Sequence, residues 1–168
     1  HKVINNISQK KPKEVWEKIE KYIGPPINER ACHIKEWLRG EGIFKEGKGH
    51  LNNFPPDIVF KWVDENIDKR AWYLATFIPK DLFTSEKKFC WTRELLKRYG
   101  YREDVKRNLS ANYSTEGFSG PASIYYQEKE DKFLDLKNNE DDPNVLLWIN
   151  HYIDGLDKEV ERAKIEEE

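Results

Sequence analysis

Residues 55–79 read PPDIVFKWVDENIDKRAWYLATFIP, and their pattern recurs along most of the chain. Two prolines open the stretch, and an apolar stripe at helical spacing follows them. An Asp-bearing turn at 64–68 separates this stripe from a second one, which Pro79 ends. Since proline suits the first turn of a helix but cannot continue one, the stretch predicts two consecutive helices. Asp68 is the expected N-cap of the second helix. The two stripes predicted to face the core are Ile58, Val59, Trp62 and Val63, and then Ala71, Trp72, Ala75 and Ile78.

Helical periodicity covers most of the remaining chain, and the alternation typical of strands is almost absent. About eight helices in four antiparallel pairs are expected over 12–39, 55–79, 84–111 and 121–165. Thr84 or Ser85 is the expected cap of the fifth helix, and the longest non-helical segment is the glycine-rich loop 40–54. The predicted stripe of the fifth helix is Phe89, Trp91, Leu95, Leu96 and Tyr99, and that of the seventh is Ile124, Tyr125, Phe133, Leu134 and Leu136.

The composition is typical of a folded domain with little overall charge. The 168 residues include 29 Lys and Arg against 31 Asp and Glu, a formal net charge of -2. This balance lacks the global positive charge of a nucleic-acid-binding domain. Aromatic residues make up 13 % of the chain, enough to bury a sizeable core. No apolar run approaches the roughly 18–20 residues that a membrane-spanning helix needs, so we expect no membrane partner.

Cysteine and methionine usage bears on the origin of the chain. Cys32 and Cys90 lie in helical patterns and are too few and too far apart for a disulfide framework. We interpret them as buried thiols of a cytoplasmic protein. The chain begins at His1 and contains no methionine. We therefore expect a piece of a longer protein, with His1 as a tag remnant and residues 1–10 flexible.

No constellation of residues predicts catalysis, a metal or a cofactor. Gly47 and Lys48 resemble part of a phosphate-binding loop, but no Ser or Thr follows them and no strand precedes them. Ser119 lies in GFSGP, which lacks the final glycine of a nucleophile elbow and fits a helix start better. His151 and Asp154 have a spacing more typical of a surface interaction than of a metal site. We expect a protein that is not an enzyme.

One segment departs from the overall charge balance. Between Glu86 and Arg107 lie eight basic and four acidic residues, a local excess of four positive charges, with aromatic residues interleaved. Such a segment is typical of single-stranded nucleic-acid sites, of sites for acidic protein partners, and of ordinary solvated helix faces. The sequence leaves these three interpretations open.

Two stretches resemble a known class of module. The stretch 55–79 resembles an irregular HEAT or armadillo unit, with a proline, an apolar helix, an Asp-bearing turn and a helix with an arginine near its start. The stretch from Arg102 to Glu168, with NEDDPNVLLWI at 139–149, resembles the C-terminal segment of large bacterial multidomain proteins. In those proteins a helical-repeat region follows an effector or nucleotide-binding domain, and several such architectures belong to anti-phage defence systems. The resemblance covers 54–168 and implies protein recognition, scaffolding or assembly, with no catalytic residue.

These observations predict one α-helical repeat domain over 1–168, a short right-handed superhelix of the HEAT or armadillo type. An irregular helical bundle is the alternative. The expected function is non-catalytic protein–protein recognition or assembly, with a protein or other domains of a parent chain as the partner. A nucleic-acid-binding or regulatory domain that uses the basic segment 87–107 is the alternative function. The residues expected to contact a partner are Lys48, His50, Phe54, Arg98, Arg102, Arg107 and Phe118.

Overall fold

The computed structural model describes residues 7–40, 49–83, 89–115 and 117–167. Over these ranges the chain is mostly helical and contains no β-strand, which confirms the predicted all-α fold. The α-helices bounded within these ranges are α1 (Pro12–Ile19), α2 (Glu29–Arg39), α3 (Pro56–Asp64), α4 (Ile67–Ala75), α5 (Trp91–Tyr99), α6 (Glu103–Tyr113), α7 (Ala122–Asn138) and α8 (Pro143–Glu167). Within the described part of the chain, no helix is both long and apolar enough to cross a bilayer.

The chain divides into two compact units, His1–Asp81 and Leu82–Glu168, where the sequence predicts one domain. The core of the first unit is built around four aromatic side chains, all at most 7 % exposed. The ring of Trp16 lies 5.2 Å from that of Phe54 and 5.9 Å from that of Trp62. Trp37 lies 6.1 Å from Phe54 on the other side. These contacts hold α1, α2 and α3 around one cluster.

Side chains and backbone conformation explain where the helices of the first unit begin and end. The Asn28 side chain accepts a 2.9 Å hydrogen bond from a first-turn N–H of α2, and Gly40 ends that helix in the left-handed conformation with φ 81°. Asn66 caps α4 in the same way, at 3.3 Å. The predicted cap, Asp68, lies inside the helix, because the turn after α3 is shorter than the pattern suggested.

Part of the N-terminal segment predicted to be flexible is helical. Residues 1–6 lie outside the described residues, whereas 7–10 form a helical turn. Ser8 is buried there, and its hydroxyl accepts a 3.1 Å hydrogen bond from Asn53 Nδ2. This turn therefore packs against the rest of the first unit.

The predicted loop 40–54 also contains regular structure. Residues 41–48 lie outside the described residues, but His50–Asn53 form a 3-10 helix. Leu51 is 0 % exposed and Phe54 is 2 % exposed. The end of this loop therefore belongs to the core of the first unit, because its apolar side chains fill the space between the helices.

In the second unit, α7 and α8 form an antiparallel hairpin. The Ser123 N–H at the start of α7 donates to Glu167 Oε1 at the end of α8, at 3.0 Å. Further along the pair, the ring of Phe133 lies 4.6 Å from that of Tyr152 and 5.7 Å from that of Trp148. Phe133 and Trp148 are both 0 % exposed. The last predicted pair is thus antiparallel, as the sequence indicates.

An ion pair joins α5 to the turn before α8. Arg93 donates from Nε and Nη2 to the two oxygens of Glu140, at 3.0 and 2.7 Å. The N–H groups of Asp141 and Asp142 donate to the same carboxylate at 3.0 and 2.9 Å. Burial raises the pKa of Glu140, and these hydrogen bonds outweigh it, so that the pKa lies below its ordinary value.

The beginning of α5 differs from the prediction. The helix begins at Trp91 rather than near Thr84 or Ser85, which lie outside the described residues. Phe89 precedes the helix and is 46 % exposed, so its predicted place in the core is wrong. The Cys90 sulfur instead caps α5 by accepting a 3.4 Å hydrogen bond from a first-turn N–H.

The prediction of two buried thiols is also wrong. Cys32 is exposed on α2, and Cys90 is half-buried at the start of α5. His33, next to Cys32, is exposed as well. Cys32 does not face the core because Ala31, Trp37 and Leu38 form the inner face of α2.

The apolar residues predicted for α7 do not form one stripe. Phe133 is buried, but Ile124 is 55 % exposed and Leu134 is 37 % exposed. Because successive residues of a helix turn by about 100°, these positions are spread around the axis. The buried face of α7 instead includes the long side chains of Lys129 and Glu130.

Candidate functional site

A cleft of about 610 Å³ opens within the second unit, bounded by α6, the segment before α7, α7 and α8. Its volume lies in the range of about 300–1,000 Å³ that is typical of ligand pockets. Aromatic, hydroxyl and charged side chains line it. The described lining residues are Ser110, Ser114, Phe118, Tyr125, Tyr126, Lys129, His151, Tyr152, Asp154, Gly155, Leu156, Lys158, Glu159 and Arg162.

One side of the cleft is an aromatic wall formed by Phe118, Tyr125 and Tyr126. Phe118 stacks on Tyr125, with the ring centroids 4.5 Å apart and an interplanar angle of 14°. Tyr126 lies 5.9 Å from Phe118 and 5.2 Å from Tyr125. The first turn of α7 thus supplies two rings, and the segment before it folds back to add the third. Phe118 remains 46 % exposed.

Lys129, one helical turn after Tyr125, holds Tyr125 of this wall in position. Its Nζ donates to the Tyr113 carbonyl at 2.7 Å and to the Tyr125 hydroxyl at 3.2 Å. The ammonium group also lies 5.5 and 5.8 Å from the ring centroids of Tyr125 and Tyr152, within cation–π range. Lys129 is only 8 % exposed. Its charge therefore orients aromatic rings of the cleft.

The lining at α6 and α8 carries hydroxyl groups that are already engaged in hydrogen bonds. The Ser110 hydroxyl accepts a 3.1 Å hydrogen bond from Trp148 Nε1. The Ser114 hydroxyl donates to the Ser110 carbonyl at 2.9 Å and lies 3.4 Å from the Tyr152 hydroxyl. These bonds connect α6 to α8 and fix the positions of the polar groups in the cleft.

Gly155 leaves a gap in the lining. It lies in the interior of α8, where glycine is less favourable than alanine by roughly 0.5–1 kcal/mol. A Cβ added at this position would meet no heavy atom within 4 Å. No close packing therefore requires a glycine here, and the absence of a side chain keeps that part of the cleft open.

Charges of both signs surround the opening along α8. His151, Lys158 and Arg162 alternate with Asp154 and Glu159. Arg162 pairs with Glu159 at 2.7 Å, and with a second carboxylate further along the helix at 3.6 Å. The rim is therefore close to neutral. His151 and Asp154 belong to no group of three metal-ligating side chains within the described residues.

A second electrostatic feature lies on the contact between α7 and α8. Burial raises the pKa of the Glu130 carboxyl, and the nearby carboxylate of Asp157 raises it further. Lys164 acts in the opposite direction but does not reverse the shift. Two carboxyl groups that approach each other on a helix pair are mutually destabilising when both are ionised.

Of the described residues expected to contact a partner, only Phe118 lines the cleft. Lys48 lies outside the described residues. His50 stacks on Trp37 in the first unit, with ring centroids 5.2 Å apart. Phe54 is enclosed between Trp16 and Trp37 and contributes to the core of that unit rather than to a surface.

The arginines of the basic segment are largely paired with carboxylates. Arg98 Nε donates to Glu94 at 2.6 Å, and Arg102 binds Asp104 through two hydrogen bonds of 3.0 and 2.9 Å. Arg107 is exposed. Lys106 also pairs with a carboxylate, that of Glu103. These three carboxylates belong to the segment and already count in its local charge, so only the Arg93–Glu140 pair, whose carboxylate lies outside the segment, lowers its positive excess.

Sequence reasoning missed Gly155, Lys129 and Tyr152 as parts of a site. One signal was available, since Gly155 interrupts an otherwise continuous helical pattern and glycine is unfavourable there. Lys129 and Tyr152 gave no comparable signal, because their roles depend on contacts between α6, α7 and α8.

No protein-family model, curated protein or solved structure matches the chain. The resemblance of 54–168 to a helical-repeat module therefore stays a prediction. The site has to be interpreted from its own geometry.

Proposed function

We propose that the chain is a non-catalytic recognition module that binds a protein partner through the cleft of its second unit. The observation that carries this proposal is the exposed Phe118 ring, stacked on Tyr125 beside a concave surface. Aromatic side chains that are held rigidly and remain partly exposed are typical anchors of protein interfaces. A partner that covers the exposed 46 % of Phe118 removes apolar surface from water without having to order that ring first.

The polar groups of the cleft support a binding role rather than a catalytic one. The Ser114 hydroxyl donates to a backbone carbonyl, and Lys129 Nζ donates to a carbonyl and to a phenol. Catalysis by such groups requires a nucleophile that donates to a base. Here the hydrogen bonds position side chains instead. The same arrangement preorganises a surface, which favours affinity.

Charge favours a protein partner over nucleic acid. The rim of the cleft carries both signs, and in the described part of the basic segment Arg93, Arg98, Arg102 and Lys106 each pair with a carboxylate. A phosphate backbone gains affinity chiefly from positive charge that is available to it. We extend the proposal to the larger repeat-type protein that 54–168 resembles, in which such a module would recognise a partner or another domain of the parent chain.

Photo-crosslinking tests this proposal with a matched pair of positions. Phe118 and Phe89 are each 46 % exposed, and both lie in the second unit. A benzophenone amino acid replaces each in turn in cells of the source organism. We expect position 118, and not position 89, to crosslink to a specific protein. With that protein purified, Phe118→Ala should weaken binding at least about tenfold and Phe89→Ala less than about twofold.

Two results would overturn the proposal. The first is crosslinking or loss of affinity that is equal at positions 118 and 89. The second is tight binding of a single-stranded oligonucleotide that is lost on charge reversal at Arg98 and Arg102. The second result would move the function to the basic segment.

A further inference from the structure

We infer that the cleft receives a tryptophan or tyrosine side chain of the partner, seated between the aromatic wall and Gly155. This inference rests on the proposed function and adds the chemistry of the bound group. Three observations support it: the open space at Gly155, the three rings of the wall and the balanced charge of the rim.

Gly155 leaves an exposed position of the cleft lining without a side chain. α8 has 25 residues, and its interior glycine lowers helix stability without relieving any close contact. A residue that is unfavourable for its own helix, as this glycine is, usually lies at a functional site. A larger side chain at 155 would occupy part of the space that the cleft lining leaves open.

The rings of the wall indicate an aromatic occupant. Phe118 and Tyr126 present partly exposed rings, and Tyr125 behind them is held by Lys129. Aromatic rings attract a further ring in offset or edge-to-face geometry beyond the gain from burial alone. A volume of about 610 Å³ accommodates one large side chain with its neighbouring backbone.

The charges favour an occupant that is neutral but has a polar edge. Because the rim carries acidic and basic groups in about equal number, it gains little from an occupant with a net charge of either sign. An indole N–H or a phenol O–H can donate a hydrogen bond to the Asp154 carboxylate, which lines the cleft. Phenylalanine has no such polar edge, so it fits the cleft less well.

The hydroxyl groups favour a side chain over a saccharide. A sugar requires many hydrogen-bonding partners, whereas the Ser114 hydroxyl already donates to a backbone carbonyl and the Ser110 hydroxyl already accepts from Trp148. An aromatic side chain needs only one or two polar contacts in addition to its stacking.

Chemical-shift titration of the whole 15N-labelled chain tests the inference with three defined probes. These are N-acetyl-tryptophanamide, N-acetyl-leucinamide and N,N′,N″-triacetylchitotriose. We expect the tryptophan amide to cause saturable shifts at the amides of Phe118, Tyr126 and Gly155, with an affinity at least about fivefold above that of the leucine amide. The saccharide should cause none. Gly155→Leu, which fills the gap, should weaken tryptophan-amide binding at least about tenfold while the amide spectrum remains that of a folded chain.

Phe118→Ala serves as a second variant and should weaken the same titration without touching α8. Saccharide shifts at these amides, equal affinity for the leucine amide, or no response to any probe would each overturn the inference. The outcome is separable from that of the proposed function. If a partner requires Phe118 for binding but is not displaced by the tryptophan amide, the proposed recognition function is supported. The inference that the cleft binds an aromatic side chain is then wrong.

Discussion

Replacement of Gly155 by alanine tests the origin of the cleft through stability alone. Gly155 lies within α8, and an added Cβ would meet no heavy atom within 4 Å. The substitution therefore gains the difference in helix propensity, about 1 kcal/mol, with no steric cost. For a chain of this length, about 1 kcal/mol corresponds to a rise in Tm of roughly 2–4 °C. The added methyl group also enters the cleft, so tryptophan-amide binding should weaken as stability rises.

Gly120→Ala is the matched control for this prediction. A Cβ at Gly120 also meets no heavy atom within 4 Å, but its φ of +98° lies in the region that disfavours side chains. The same chemical change should therefore lower stability there by roughly 1–2 kcal/mol. Urea denaturation followed by circular dichroism measures both variants. A loss of stability in Gly155→Ala, or a change of the same sign at both glycines, would refute the assignment of Gly155 to an open and unconstrained gap.

Two further substitutions test the fold. Phe54→Ala should lower the free energy of unfolding by about 3–5 kcal/mol, because Phe54 is 2 % exposed between Trp16 and Trp37; a loss below about 1 kcal/mol in urea denaturation would contradict its place in the core. Glu140→Gln should cost about 1–2 kcal/mol at pH 7, since it weakens charge-assisted hydrogen bonds to the half-exposed Arg93. Because the folded-state pKa of Glu140 is lowered, its stabilisation is present above the unfolded pKa of about 4.3 and is lost as the pH falls through the folded value. A difference between wild type and Glu140→Gln that persists unchanged at pH 3 would exclude this origin.

The helical class could be predicted because its signals are local. Proline at the start of α3 and α8, and glycine after α2 and α5, mark helix ends wherever they occur. α8 buries eight apolar residues that recur at helical spacing. α7 does not match its predicted stripe, because its buried face depends on Lys129 and Glu130, whose burial follows from contacts with other helices.

The candidate site could be predicted only in part. Phe118 was identified from sequence as a partner contact in a loop, and the structure places it at the cleft. The composition of the basic segment indicates a local positive charge, but Glu140, which neutralises Arg93, lies 47 residues away along the chain. A count of charged residues within one segment does not include a carboxylate that pairs with the segment from elsewhere in the chain.

Local sequence by itself determined that this chain folds into helices, where most of them begin and end, and which stripes are apolar. Tertiary structure alone decided which aromatic side chains are enclosed and which remain available. Phe54 and Phe118 both follow polar, glycine-containing stretches, and both were expected to contact a partner. Trp16 and Trp37 cover the first, whereas Tyr125 and Tyr126 leave the second 46 % exposed. Burial depends on neighbours brought together by packing, and periodicity along the chain does not specify those neighbours.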